Sequence, residues 1–201
     1  MDWLHKIGTL LPVTVVVAIS LFILRECVDL VKKYREKQRK TRAIKLLLAE
    51  ELERNHWALL TVFNVLKEIK EYTDEQKEVE YSLIIARNGM EHYHAELEDG
   101  HSGSGIFRFD FSVYEKLLVS IAELDEELFE AISATYTKTR ELNHYRDTLL
   151  DYLSGEDLAP TPEMTKGFLC GLSEEEADYY GHLNDSYKLL TGSTLEKRRL
   201  W

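Results

Sequence analysis

The feature that most limits the fold of this chain is an uncharged apolar run close to its start, over residues 7–24. The run contains eighteen residues. As a helix it matches a bilayer hydrocarbon core of about 30 Å. It is apolar on all sides without a break, which argues against a buried helix of an ordinary core. We therefore predict a transmembrane anchor over residues 1–25, which is retained because no A-x-A cleavage site follows it.

The charges that flank the apolar run predict its orientation. Eight Lys and Arg side chains lie within residues 25–42, whereas Lys6 is the one cation that precedes the run. Cytoplasmic flanks of membrane helices carry the excess of Lys and Arg. The chain is thus expected to be a single-pass membrane protein with a basic juxtamembrane stem over residues 26–45 and a cytoplasmic C-terminal domain.

Charge divides the chain into a basic beginning and an acidic remainder. Residues 1–45 contain ten Lys and Arg and four Asp and Glu, a net charge of +6. The remaining residues contain fifteen and thirty-two, a net charge of −17, so the whole chain carries −11. The acidic part excludes diffuse nucleic-acid binding because it would repel phosphates. The basic part is expected to contact anionic lipid headgroups, with RNA as the alternative.

The residues after the stem are predicted to form an antiparallel helical bundle over residues 46–192, so the predicted fold class is all-α. Apolar residues at helical spacing indicate a first helix that reaches about Tyr72. A second helix follows Asp74, a possible cap, and continues to Leu97. Its apolar stripe consists of Val79, Leu83, Ala86, Met90, Tyr93 and Leu97.

Breaks and caps divide the rest of the bundle. Residues 99–105 are rich in glycine and serine and interrupt the helical pattern. Residues 107–111, with alternating phenylalanines, are either a short extended stretch or a loop. Capping boxes at Ser112 and Ser173 indicate a long third helix and a last one. Residues 193–201 are the predicted tail.

Neither cysteine has a spacing typical of a metal site. Cys27 and Cys170 are far apart in the sequence, which fits a reduced setting. The sequence also lacks the patterns of a nucleotide-binding loop and of a nucleophile triad. No cofactor and no metal ion is therefore expected.

The pattern that most suggests chemistry is Arg87, Asn88 and His92 within the second predicted helix. Arginine offers a permanent charge for a phosphate, and histidine moves a proton near neutral pH. Positions five apart lie about 140° apart around a helix. A working pair would therefore need either a helix that is distorted at Gly89 or a composite site that two chains build together. Alternatively, Arg87 pairs with Glu91 one turn on, and His92 is a surface residue.

An Arg-polar-x3-His motif in a small helical bundle resembles the HEPN superfamily, with Asn88 as the polar residue. Together with the apolar run and the basic stem, the chain also resembles the small membrane accessory proteins of type VI-B CRISPR systems. The resemblance implies paired motifs, RNA cleavage in many members, and a homo-oligomeric ring in the bacterial inner membrane. It also implies engagement with an RNA-guided effector.

Three functions follow from these expectations. The first is an oligomeric pore that strengthens RNA-guided antiphage defence by permeabilising or depolarising the inner membrane. Its expected partners are the lipid bilayer, further copies of the chain, and the CRISPR effector or RNA, but not DNA. The second is a membrane-tethered, metal-independent ribonuclease. The third is a docking protein that holds a cytoplasmic partner at the membrane. The sequence leaves open whether the chain is an enzyme.

Overall fold

The computed structural model describes residues 12–98, 100–155 and 161–196. Over these ranges the chain forms five α-helices and three β-strands. The elements are α1 (Val13–Asp74), β1 (Glu80–Ile85), β2 (Glu91–Leu97), β3 (Gly100–Ile106), α2 (Ser112–Leu124), α3 (Glu126–Ser154), α4 (Pro162–Leu172) and α5 (Glu176–Thr191). The mostly helical character is confirmed. The all-α fold class is wrong because the strands form an antiparallel sheet.

The chain divides into two compact units, Met1–Ala43 and Ile44–Trp201. The described part of the first unit consists of Pro12 and the beginning of α1, and nearly all of its side chains are exposed. The second unit contains the rest of α1 and all other elements. The hydrophobic core lies in this second unit.

The prediction of a membrane span over residues 7–24 is wrong. Within the described ranges, no helix is both long and apolar enough to cross a membrane. The reason lies in α1, where the apolar run continues directly into Arg25, Glu26 and Asp29. Any stretch of eighteen residues in this helix therefore contains at least three charges. The prediction of a single-pass protein in a bacterial inner membrane depends on this span and is wrong for the same reason. Residues 7–11 of the predicted span lie outside the described residues.

The second half of α1 is the centre of the core. Its apolar residues recur every three or four positions and face the other elements. Those that are completely buried include Leu48, Leu52, Leu59, Phe63 and Leu66. The helix is predicted to reach about Tyr72 and ends at Asp74. On the other side of the core, α3 contacts α2, α4, α5 and β1.

A three-stranded sheet in the order β1-β2-β3 replaces the predicted second helix. Asn88 and Gly89 lie in the turn between β1 and β2, and Gly89 has a φ of +78°. An Asn-Gly pair is the strongest short hairpin signal. Apolar residues of this segment fit both a helical and an alternating pattern. Alternation prevails because Tyr93 and Ala95 of β2 are buried on the face towards the core.

The predicted third helix is two helices that meet at Asp125. Its backbone is extended, and its carboxylate accepts the N–H of Leu128 at 3.1 Å, which caps α3. Neither predicted capping box forms. Phe111 is the N-cap residue of α2 and makes no side-chain cap. Helix α5 begins at Glu176 with Glu175 as its N-cap residue, so Ser173 does not lie where it could cap this helix.

Candidate functional site

The residues of the predicted motif lie on a β-hairpin rather than on a helix. Arg87 and Asn88 are exposed in the turn between β1 and β2, and His92 is on β2 opposite Gly105 of β3. The side-chain oxygen of Asn88 accepts the N–H of Met90 at 3.1 Å, so this residue shapes the turn. Among the contacts of the described residues, none joins Arg87 to His92. Their role as a catalytic group stays a prediction.

Glu91 does not pair with Arg87, as the alternative interpretation predicts. It lies buried between two other arginines. Arg146 donates from Nη2 to its Oε2 at 2.6 Å, and Arg108 donates from Nε to its Oε1 at 3.2 Å. Burial tends to raise the pKa of the Glu91 carboxyl, but the hydrogen bond from Arg108 and both positive charges outweigh it and lower that pKa. This cluster joins β2 to α3.

Histidines gather on the outer face of the sheet. His92 and His94 of β2 lie beside Gly105 and Gly103 of β3. The ring of His94 is 5.5 Å from that of His101, measured between centroids. In the part of the chain that the structure describes, no group of three His, Cys, Asp or Glu residues is arranged to hold a metal ion. The outer face of the sheet thus carries the imidazole rings of His92, His94 and His101.

Two buried polar side chains of α1 fix the loop between β3 and α2. Glu51 accepts the backbone N–H groups of Val113 and Tyr114 at 2.6 and 3.0 Å. A carboxylate at this position satisfies free donors at the start of a helix. Asn55 exchanges two hydrogen bonds with the backbone of Asp110, at 2.6 and 2.8 Å. These hydrogen bonds join α1 to the loop at Asp110 and to the first turn of α2.

A groove of about 930 Å³ lies between α1, this loop and the segment that follows α5. Its aromatic walls are Trp57 of α1, Phe107 of the loop and Tyr187 of α5. The rings of Trp57 and Phe107 are 6.2 Å apart and meet edge to face. Leu195, which is buried, also lines the groove. The volume of the groove is in the range of pockets that hold drug-sized ligands or short peptide segments.

Both arginines of the groove are already paired. Arg54 donates to Asp110 Oδ2 from Nε at 3.2 Å and from Nη2 at 3.0 Å. Arg108 is bound to Glu91. Burial tends to raise the pKa of Asp110, but hydrogen bonds from Ser112 and Arg54 outweigh it and lower that pKa. Each of the two arginines that line the groove is therefore already bound to a carboxylate.

Three glutamates give the groove its net charge. Glu50, Glu53 and Glu196 line it, and none of them has an ion pair with a residue that the structure describes. The Tyr187 hydroxyl donates to Glu53 Oε1 at 2.6 Å. This hydrogen bond, with burial, raises the pKa of Tyr187 to about 12, so the hydroxyl stays protonated. Carboxylates beside aromatic rings suit a guanidinium or ammonium group.

Sequence reasoning missed this site because its walls come from distant parts of the chain. A partial signal was present on α1. Glu50, Glu53 and Trp57 recur at intervals of three and four residues, which places them on one helix face. The loop and the segment after α5 carry no pattern that predicts their approach to this face. Only the fold brings Tyr187 and Glu196 to it.

Comparison with known proteins adds no relative to this picture. The HEPN resemblance, and with it the resemblance to the type VI-B accessory proteins, therefore rests on the sequence motif and stays a prediction. No family model, curated protein or solved structure matches this chain.

Proposed function

We propose that the chain is a docking protein that binds a basic segment of a partner protein in the groove beside Tyr187. The supporting observation is the set of three glutamates that line the groove without an ion pair to any described residue. A cationic side chain that enters the groove would gain carboxylate partners and an aromatic surface at once. The pore predicted from the sequence depends on a membrane span and is not proposed.

The shape of the groove favours a peptide segment over a single ion. A volume of about 930 Å³ exceeds what one side chain fills. Its aromatic walls bind the apolar stems of Lys and Arg, while its carboxylates bind their charged ends. The partner is therefore a chain with several basic residues, in which at least one positive charge is buried in the groove.

The charge of the surrounding chain supports the same partner. Residues 46–201 contain fifteen Lys and Arg against thirty-two Asp and Glu. Such an excess attracts a basic partner over a distance and accelerates its association, and added salt weakens this effect. The groove then supplies the specificity that diffuse attraction lacks.

Binding of a labelled peptide of alternating arginine and alanine tests the proposal. Fluorescence anisotropy is expected to show saturable binding to the full chain. The triple variant Glu50→Gln, Glu53→Gln, Glu196→Gln should weaken binding at least about tenfold, since it removes the charges that face the ligand. A peptide of alternating glutamate and alanine should not bind.

A matched control separates the groove from general attraction. Glu78, Glu123 and Glu130 are exposed and lie outside the groove. Their replacement by glutamine changes the net charge by the same amount. It should leave peptide affinity within about twofold of the original. Equal losses in both triple variants, or no saturable binding to the unaltered chain, would overturn the proposal.

A further inference from the structure

After α5 the chain runs along one wall of the groove. Residues 193–196 line the groove one after another. Leu195 fixes this course, because it is buried and its backbone is bound on both sides. Its amide donates to Asn184 Oδ1 at 3.0 Å, and its carbonyl oxygen accepts the Tyr180 hydroxyl at 3.1 Å. The residues that follow Glu196 therefore start at the groove.

The next five residues, which we call the 197–201 segment, read Lys-Arg-Arg-Leu-Trp. They lie outside the described residues. The segment starts within about 4 Å of Glu196, because consecutive Cα atoms are about 3.8 Å apart. Five extended residues span about 17 Å, which is enough to cross a groove of about 930 Å³. The segment can therefore reach the groove of its own chain.

The composition of the 197–201 segment complements the walls of the groove. Glu50 and Glu53 line the groove, and neither has an ion-pair partner in the described part of the chain. The cationic side chains at positions 197–199 would supply such partners. Their apolar stems, together with Leu200 and Trp201, suit the aromatic walls. One short stretch thus combines the two kinds of contact that a ligand of the groove makes.

We infer that the 197–201 segment folds back into the groove of its own chain and competes there with the basic partner. This autoinhibition rests on the proposed function, since it regulates the same site. The occupant is the chain's own segment because its attachment beside the groove gives it an effective concentration of about 1 mM. A segment that binds with a Kd of about 0.1 mM would then weaken a competing ligand about tenfold.

Neutralising the segment tests the competition. The variant Lys197→Gln, Arg198→Gln, Arg199→Gln should bind the labelled arginine–alanine peptide at least about fivefold more tightly than the unaltered chain. The reason is that a neutral segment no longer finds carboxylate partners in the groove. Fluorescence anisotropy measures both affinities.

A matched control is needed because the loss of three positive charges also strengthens general attraction to a basic peptide. Lys77, Lys116 and Lys188 are exposed and do not line the groove. Their replacement by glutamine changes the net charge by the same amount and should change peptide affinity less than about twofold. Equal gains in both triple variants, or unchanged affinity after neutralisation of the segment, would overturn the autoinhibition and leave the proposed function in place.

Carbodiimide cross-linking locates the segment without any partner. The reagent joins a lysine amine to a carboxylate that contacts it, with loss of water. In the unaltered full chain, mass spectrometry of the digested protein should find Lys197 joined to Glu50 or Glu53. An equal mixture of unlabelled chains and chains labelled with heavy nitrogen shows where the link forms. A link within one chain joins two peptides of the same label.

The two experiments together separate the autoinhibition from the proposed function. A peptide that binds neither the unaltered nor the neutralised chain would overturn the proposed function, while same-label links from Lys197 would still place the segment in the groove. Links between chains of different label alone would show that the segment occupies the groove of another copy and would overturn the inference. The absence of any link from Lys197 to Glu50 or Glu53 would overturn it as well.

Discussion

At the residue scale, the second unit is held together by charged groups that are buried with their partners. Arg146 of α3 is 2% exposed and Glu91 of β2 is 4% exposed. Arg146 also donates from Nε to the carbonyl oxygen of Phe107 at 3.0 Å, so one side chain joins α3, β2 and the loop that forms a wall of the groove. Such a pair is expensive to break, because each partner leaves a buried charge behind.

Arg146→Met should therefore lower the free energy of unfolding by about 3–5 kcal/mol. The methionine keeps much of the side-chain volume but leaves Glu91 without its buried partner. Urea unfolding at pH 7, followed by circular dichroism, measures the loss. Adding Glu91→Gln to Arg146→Met should recover part of the lost free energy of unfolding, because no buried charge is then left unpaired. A loss below about 1 kcal/mol in Arg146→Met alone would contradict the role of the pair.

At the element scale, one turn decides whether residues 79–97 form a helix or a hairpin. Gly89 has a φ of +78°, which an L-residue with a side chain rarely adopts. The amide of Gly89 donates to the carbonyl of Ala86 at 2.8 Å, and the amide of Ala86 donates to the carbonyl of Met90 at 2.8 Å. The turn reverses the chain so that β2 pairs antiparallel with β1, and Tyr93 of β2 becomes buried in the core.

Gly89→Ala should destabilise the second unit by about 1 kcal/mol. A Cβ at this position meets no atom within 4 Å, so the cost comes from the backbone conformation and not from a clash. Thermal unfolding measures the change. Gly181→Ala is the matched control, because position 181 lies in α5 with equally open space and alanine favours a helix. Gly181→Ala should raise the melting temperature, whereas Gly89→Ala should lower it. If both variants shifted the melting temperature in the same direction, the explanation would be contradicted.

At the scale of the whole molecule, acid sensitivity follows from the carboxylates that join the elements. The pKa values of Glu91 and Asp110 are lower in the folded chain than their ordinary values, despite burial, because arginines and amide donors hold both groups charged. The unfolded chain therefore binds protons more readily than the folded chain. The stability that these groups contribute is complete above their unfolded pKa values and is lost as pH falls through the folded ones.

The melting temperature should accordingly decline as pH is lowered from about 6 to about 3, with most of the loss below about pH 4.5. Differential scanning fluorimetry across this range measures the decline. Glu91→Gln should be less stable at pH 7 and show a shallower decline, since one of the titrating groups is gone. An unchanged slope in that variant would contradict the assignment of the decline to Glu91.

Local pattern determined much of the helical part of this protein. The apolar spacing of α1 and the acidic charge of the later residues can both be read from neighbouring residues. The predicted break over residues 99–105 is wrong, because Gly100–Ile106 forms β3 and pairs with β2. The same kind of reading placed Arg87, Asn88 and His92 on a helix, because six apolar residues fitted that period. The Asn88 and Gly89 pair favours a hairpin instead, and the helical prediction left this signal out.

Tertiary structure decided the rest, because burial is a property of neighbours in space. Glu51 and Asn55 look like surface residues of a polar helix, yet both are buried. Glu51 binds the amides of the first turn of α2, and Asn55 binds the backbone of the loop before it. Glu196 lines the same groove as Glu50 because α5 and the segment after it pack there. Short-range periodicity determines which residues form a helix, but only the packed chain determines which charges meet around the groove.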